Sequence, residues 1–145
     1  MIRIRNQQRK IRVNLPRIQR TIKRILKILT FPYDPELSIL FVNDKRMEKL
    51  NSKYRGIKKT TDVISFPVEE EKFSNFHPGV LGDIVISIPA VIRQARGKRV
   101  TLYIELGTIL IHSILHLYGY THETVSKTGR MRKKEKEIAS SLHSL

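Results

Sequence analysis

Thr101–His122, TLYIELGTILIHSILHLYGYTH, is the stretch around which the rest of the chain must be arranged. Up to about Tyr118 it is almost wholly apolar, interrupted only by Glu105, Thr108, His112, Ser113 and His116. A helix apolar on nearly every side is buried on nearly every side, so it is expected to be the central helix of the domain. As a membrane span it is too short and carries an acid and two histidines. Gly119 is the expected terminator, because glycine accepts the left-handed backbone that ends a helix and turns the chain. His112 and His116 stand four residues apart, which sets both rings on one helical face. The reversal at Gly119 can bring His122 back to the same spot.

A lone histidine on an apolar face is usually a hydrogen-bonded core residue. Here three of the chain's five histidines follow the pattern H-x-x-x-H-x-x-G-x-x-H, the ligand spacing of the metzincin zinc site. His112, His116 and His122 are therefore candidate metal ligands, with one Zn²⁺ per chain the expected cofactor. Three protein nitrogens leave a tetrahedral zinc one open position for water, the arrangement of a catalytic site. Zinc there lowers the pKa of water and polarises a bound oxygen. The peptidase analogy fails at Ser113, since metzincins carry their general-base glutamate directly after the first histidine. The chain has no cysteine, so thiolate ligands and disulfides are excluded.

The charge indicates the substrate. With 28 Lys and Arg against 13 Asp and Glu, the chain of 145 residues has a formal net charge of +15, which points to a polyanionic partner. Nucleic acid is the first expectation and an anionic membrane surface the second. Metal-assisted hydrolysis of a phosphodiester uses both the histidines and the charge. No secretory signal pattern opens the sequence. The first 33 residues carry ten Lys and Arg and no acid, but transit peptides are serine-rich and the first serine is Ser38, so a cytoplasmic protein is expected.

Outward from the central helix, residues 1–145 read as a single domain. IRIRN (Ile2–Asn6) alternates as a half-buried strand, and LPRIQRTIKRILKIL (Leu15–Leu29) forms an amphipathic helix with Pro16 in its first turn and a cationic outer face. After a break at Phe31-Pro32 and Asp34-Pro35 come a strand at Leu37–Asn43 and a helix at Asp44–Tyr54. Strands at Val63–Val68 and Leu81–Ser87 flank a polar loop, Glu69–Gly79, that holds a surface histidine, His77. Pro89 opens a helix ending near Gly97, and Lys127–Leu145 forms a basic helix with Met131, Ile138 and Leu142 turned inward. Strands and helices mix without a strict repeating unit, so the expected class is α+β, a sheet of about four strands packed with helices.

HSILHLYGYTH resembles the H-G-x-L-H-L-x-G-Y-D-H signature of the YbeY family of bacterial endoribonucleases that act in ribosomal RNA maturation. LNSKYRGIKKTTDVISFP, from Leu50, resembles the family's L-N-x-x-Y-R-G-x-x-x-x-T-D-V-L-S-F-P segment. LGDIVIS matches its L-G-D-I-x-I-S strand, and Met131 with Glu135 fits its M-x-x-x-E helix. The resemblance implies that His112, His116 and His122 hold zinc and that Arg55 is the catalytic or substrate-binding arginine. A guanidinium beside the metal can hold a phosphate bidentately and offset charge in the transition state. Asp62 and Asp83 are expected to be structural. Three positions depart from the family pattern. Ser113 stands for a glycine, where a small side chain still fits; Thr60 for a frequent proline, which is expected to loosen the loop carrying Arg55; and Thr121 for the aspartate before the third histidine, which bears on metal affinity.

The resemblance implies a zinc-dependent endoribonuclease preferring single-stranded ribosomal RNA, acting in 16S rRNA 3′ end maturation and ribosome quality control. Small ribosomal subunit proteins and a ribosome-assembly GTPase are the implied partners, and no stable membrane association is expected. The main rival is a non-catalytic RNA-binding ribosome-assembly factor with a structural metal. A metallopeptidase lacks its base, and membrane association would rest on the region from Arg5 to Lys27 alone.

Overall fold

The structure, a computed structural model, describes residues 1–31, 34–68, 79–119 and 124–143. Its elements are β1 (Ile2–Asn6), α1 (Leu15–Leu29), β2 (Glu36–Val42), α2 (Asp44–Arg55), β3 (Val63–Pro67), β4 (Val80–Ser87), α3 (Ile88–Lys98), α4 (Leu102–Tyr118) and α5 (Val125–His143). The chain adopts the expected α+β class, with four strands among the described residues. Most of the loop expected at Glu69–Gly79, with His77, lies outside the described residues.

Helix ends are set by local chemistry. The side chains of Asn14, Asn43 and Thr101 accept hydrogen bonds from the backbone N–H groups of Arg17, Arg46 and Ile104, satisfying donors that the first turns of α1, α2 and α4 leave open. Asn43 is therefore the cap of α2 and not the last residue of a strand, which moves β2 back to Glu36–Val42. Ser87 precedes α3, so that helix opens at Ile88 with Pro89 inside its first turn. At the other end, α5 begins at Val125, two residues earlier than the basic tail suggested.

The four strands form one sheet in the order β1-β2-β4-β3. β1 runs parallel to β2 and β2 parallel to β4, whereas β3 is antiparallel to β4 at the edge. Alternation along the strands divides the side chains between two faces. On one face Ile39, Phe41, Ile84 and Ile86 pack with Ile22 of α1, Leu110 and Ile114 of α4, and Met131 and Ile138 of α5. On the other, Val42, Ile64 and Val85 pack with Met47 of α2. Each fully buried chain of this size contributes about 1.5–3 kcal/mol relative to exposure.

α4 is buried as its composition demands, with Leu106, Leu110, Ile114 and Leu115 almost completely covered. Its one acid, Glu105, is also buried and is satisfied by Lys98 Nζ at 2.8 Å from Oε1. An unpaired carboxylate there would be strongly destabilising. Among the described residues no single helix is long and apolar enough to cross a membrane.

Candidate metal centre and its surroundings

His112 and His116 emerge from the last two turns of α4, and their Nε2 atoms stand 3.1 Å apart. The rings meet edge to face, with centroids 4.6 Å apart and planes at 75°. Two nitrogens each ~2.0–2.1 Å from a tetrahedral zinc are separated by roughly 3.3 Å, so the observed spacing and the pair of imidazole donors fit one shared ion. Among the described residues no set of three donors is assembled, and His122, with Thr121 beside it, lies outside them. Gly119, at φ +118°, closes α4 by giving its N–H to the carbonyls of Leu115 and His116, and turns the chain immediately beyond the second histidine.

Behind the pair stands Glu135. Its Oε1 lies 3.5 Å from Nδ1 of His112, on the side of the ring away from His116. Met131 and Ile138, both fully buried, anchor α5 against the core and hold the carboxylate at that place. A carboxylate at Nδ1 favours the tautomer whose proton is on Nδ1, leaving the Nε2 lone pair for a metal.

The packing that delivers α4 to the sheet depends on Gly82 of β4. At φ +139°, a Cβ on this residue would overlap the Phe66 carbonyl oxygen and come within 3.2 Å of Leu117 Cδ2, one residue past His116. Ser113, between the histidines, is buried with a hydroxyl that has no hydrogen-bond partner among the described residues. Its small volume fits, as expected, but its polarity is uncompensated.

Arg55 is the last residue of α2, exposed, on the helix that covers the opposite face of the sheet from α4. It forms no hydrogen bond or ion pair among the described residues. The fold thus brings His112, His116 and Glu135 together and leaves Arg55 on a separate element. Beside it, the Tyr54 ring stacks edge to face on Phe66 of β3, with centroids 5.2 Å apart.

The loop after Arg55 is tied down despite lacking a proline. Gly56, at φ +69°, caps α2. Buried Asn51 donates from Nδ2 to the Lys59 carbonyl at 2.8 Å. Thr60 Oγ1 donates to Asp44 Oδ1 at 3.2 Å, so the threonine expected to loosen the loop instead fastens it. Asp44 also accepts from Ser87 Oγ at 2.9 Å and, through both oxygens, from Arg93 at 2.6 and 3.0 Å. The Arg93 hydrogen bonds hold the Asp44 carboxyl below its ordinary value of 3.8 and raise Arg93 in turn. Nothing in the sequence marked Asp44 as the junction of α2, β4, α3 and this loop. Asp62 Oδ1 accepts from Val63 N at 2.9 Å, at the start of β3, whereas Asp83 is exposed on the α2 side of the sheet.

Comparison with known proteins agrees with the motifs. Residues 3–143 match the family model described as Endoribonuclease YbeY. A protein of that name from Syntrophus aciditrophicus is 40% identical over 144 residues, covering 98% of this chain and 89% of the relative. Another from Thermodesulfovibrio yellowstonii is 40% identical over 159 residues, covering 97% and 96%. The solution structure of a Thermotoga maritima protein is similar at a TM-score of 0.65 and 28% identity, over 99% of this chain and 93% of that one. Matched almost from end to end in sequence and in fold, the chain belongs to the YbeY family of endoribonucleases.

Proposed function

We propose that this protein is a zinc-dependent hydrolytic endoribonuclease that prefers single-stranded ribosomal RNA. The observation that carries this reading is the convergence of His112 and His116 at 3.1 Å, with Glu135 behind His112, in a chain of net charge +15. His112, His116 and His122 would hold the ion, which when bound supplies Lewis acidity towards a phosphodiester and activates water. Glu135 orients the His112 ring. Arg55, exposed and without a partner among the described residues, is available to hold a phosphate through two N–H groups and to offset charge as the bond breaks. The surface cations collect and retain the polyanion.

The biological setting proposed with it, on the strength of the family resemblance, is maturation of the 16S rRNA 3′ end and removal of defective ribosomal RNA in the cytoplasm, in contact with small-subunit proteins and a ribosome-assembly GTPase. A second reading, an RNA-binding assembly factor whose metal is structural, is favoured by one observation, the placing of Arg55 on α2, a different element from the histidine-bearing α4.

One paired experiment decides between them. Zinc-replete protein and a His112→Ala variant, purified identically, are incubated with a single-stranded ribosomal RNA fragment. Cleavage that disappears with His112 and leaves 3′-hydroxyl ends supports the hydrolase. Equal activity or equal inertness of the two preparations, with RNA binding retained, overturns it in favour of the assembly factor.

A further inference from the structure

α2 rests over β3 and β4, and beside it the same face of the sheet opens as a groove of about 520 Å³. The groove runs along one line of the sheet register. Arg3 pairs in register with Ser38, Ser38 with Asp83, and Asp83 with Phe66, so these four residues cross the sheet from β1 to β3. Three strand spacings of about 4.8 Å make that line roughly 14 Å long. Arg5 lies beside Arg3 on the same face, and Tyr54 of α2 closes the other end.

The two ends differ chemically. At β1, Arg3 and Arg5 are exposed and neither pairs with an acid among the described residues; Arg3 Nε donates only to Met1 Sδ at 3.4 Å, which leaves its charge in place. At α2, Tyr54 is 57% exposed and is braced edge to face by Phe66, with the Lys53 ammonium 5.2 Å from its ring centroid, so the exposed ring is held in place beside a cation that a phosphate flanking a stacked base could engage. Asp83, the one acid lining the groove among the described residues, lies between them. A carboxylate there repels phosphate but accepts hydrogen bonds from the amino groups of bases.

We propose that this groove is a binding site for a short segment of single-stranded RNA, with backbone phosphates on Arg3 and Arg5 and an unstacked base on Tyr54. Charge complementarity selects a polyanion, and the exposed aromatic ring selects unpaired bases, since a base within a duplex has no free face to offer. Tyr54 immediately precedes Arg55, so a strand lying in the groove is led to the arginine end of α2. The site rests on the reading of RNA as substrate and adds a place to hold substrate that neither His112 nor His116 lines.

The test is fluorescence anisotropy with a 5′-labelled single-stranded oligoribonucleotide across a salt series. The proteins are the wild type, Arg3→Gln/Arg5→Gln, Tyr54→Ala, and a control, Lys23→Gln/Lys27→Gln, that removes the same charge from the outer face of α1. All substituted positions are exposed, and circular dichroism with thermal melting checks each fold. The arginine pair should weaken binding about tenfold, and the salt dependence should become shallower by about 1.4, two contacts at roughly 0.7 each. Tyr54→Ala should weaken binding roughly tenfold with little change in salt dependence. The control should lose clearly less.

The site is overturned if the arginine pair loses no more than the control, if its salt slope is unchanged, or if the wild type does not bind single-stranded RNA. It is also overturned if the arginine pair alters self-association and leaves RNA affinity intact, which would make a second copy of the chain the occupant. Cleavage assays on the same preparations separate this site from the nuclease reading. Groove-dependent binding without turnover in the wild type would remove the nuclease and keep the groove. Turnover with an unchanged KM in the arginine variant would remove the groove and keep the nuclease.

Discussion

Glu135 Oε1 lies 3.5 Å from Nδ1 of His112, while Nε2 of the same ring faces His116. One imidazole is thus addressed from both sides by residues of two different helices. Replacing Glu135 with Gln keeps its shape but weakens its acceptance of the Nδ1 proton, and zinc affinity should fall about tenfold, the lower end for loss of such a partner. Competition with a chromophoric chelator measures this. Unchanged affinity would show that the carboxylate does not orient the ring.

Arg55 should separate from the histidines in its effects. Because it is exposed and makes no bond among the described residues, Arg55→Ala should leave thermal stability and zinc affinity unchanged. The single-turnover cleavage rate should nevertheless drop by roughly a hundredfold, the scale for loss of one preorganised transition-state donor. A variant that cleaves normally would assign phosphate anchoring to another cation.

Asp44 carries a pH signature. Its carboxyl is depressed below 3.8, chiefly by hydrogen bonds from Arg93, so the ionised group stabilises the folded state at pH values above that of the unfolded chain. This contribution is complete near neutrality and is lost as pH falls through the depressed folded value. Asp44→Asn should therefore be less stable than wild type at pH 7, by about 1 kcal/mol at most for a pair this open to solvent, and the gap should close as the pH is lowered from about 4. Denaturant unfolding at pH 7, 5 and 3 reads the trend; a gap that widens in acid would contradict it.

Ser113 should tolerate, and benefit from, loss of its hydroxyl. The oxygen is buried without a partner among the described residues, so Ser113→Ala is expected to stabilise the protein by about 1 kcal/mol, or roughly 3 °C in melting temperature. A lower melting temperature would show that the hydroxyl has a role the fold does not reveal.

Gly82 should tolerate no side chain. Its positive φ and the overlap of any Cβ with the Phe66 carbonyl act together, and Gly82→Ala is expected to cost about 2 kcal/mol or more. The damage should extend to the site, because Leu117 is the other neighbour. Reduced zinc affinity, measured well below the melting transition, is the accompanying sign.

The elements and the histidine pair were legible in the sequence for local reasons. Apolar periodicity, asparagine and threonine caps, and Gly119 are read within a few residues of where they act, so α1, α4 and the i, i+4 histidines could be placed without tertiary information. Boundaries slipped where two local readings competed, as at Asn43, which suits the end of β2 by position and caps α2 by chemistry.

What the sequence by itself determined is therefore the set of elements, the buried central helix, the histidine spacing and the cationic surface. Only the tertiary structure decided the β1-β2-β4-β3 order, the placing of Glu135 behind His112 from a helix that follows the Gly119 turn, the junction at Asp44, and the packing of α2, which ends at Arg55, on the other face of the sheet from α4. The physical reason is one of range. Helix and strand patterns are enforced by neighbours along the chain, whereas these relationships exist only once distant apolar faces have chosen which of them to bury together.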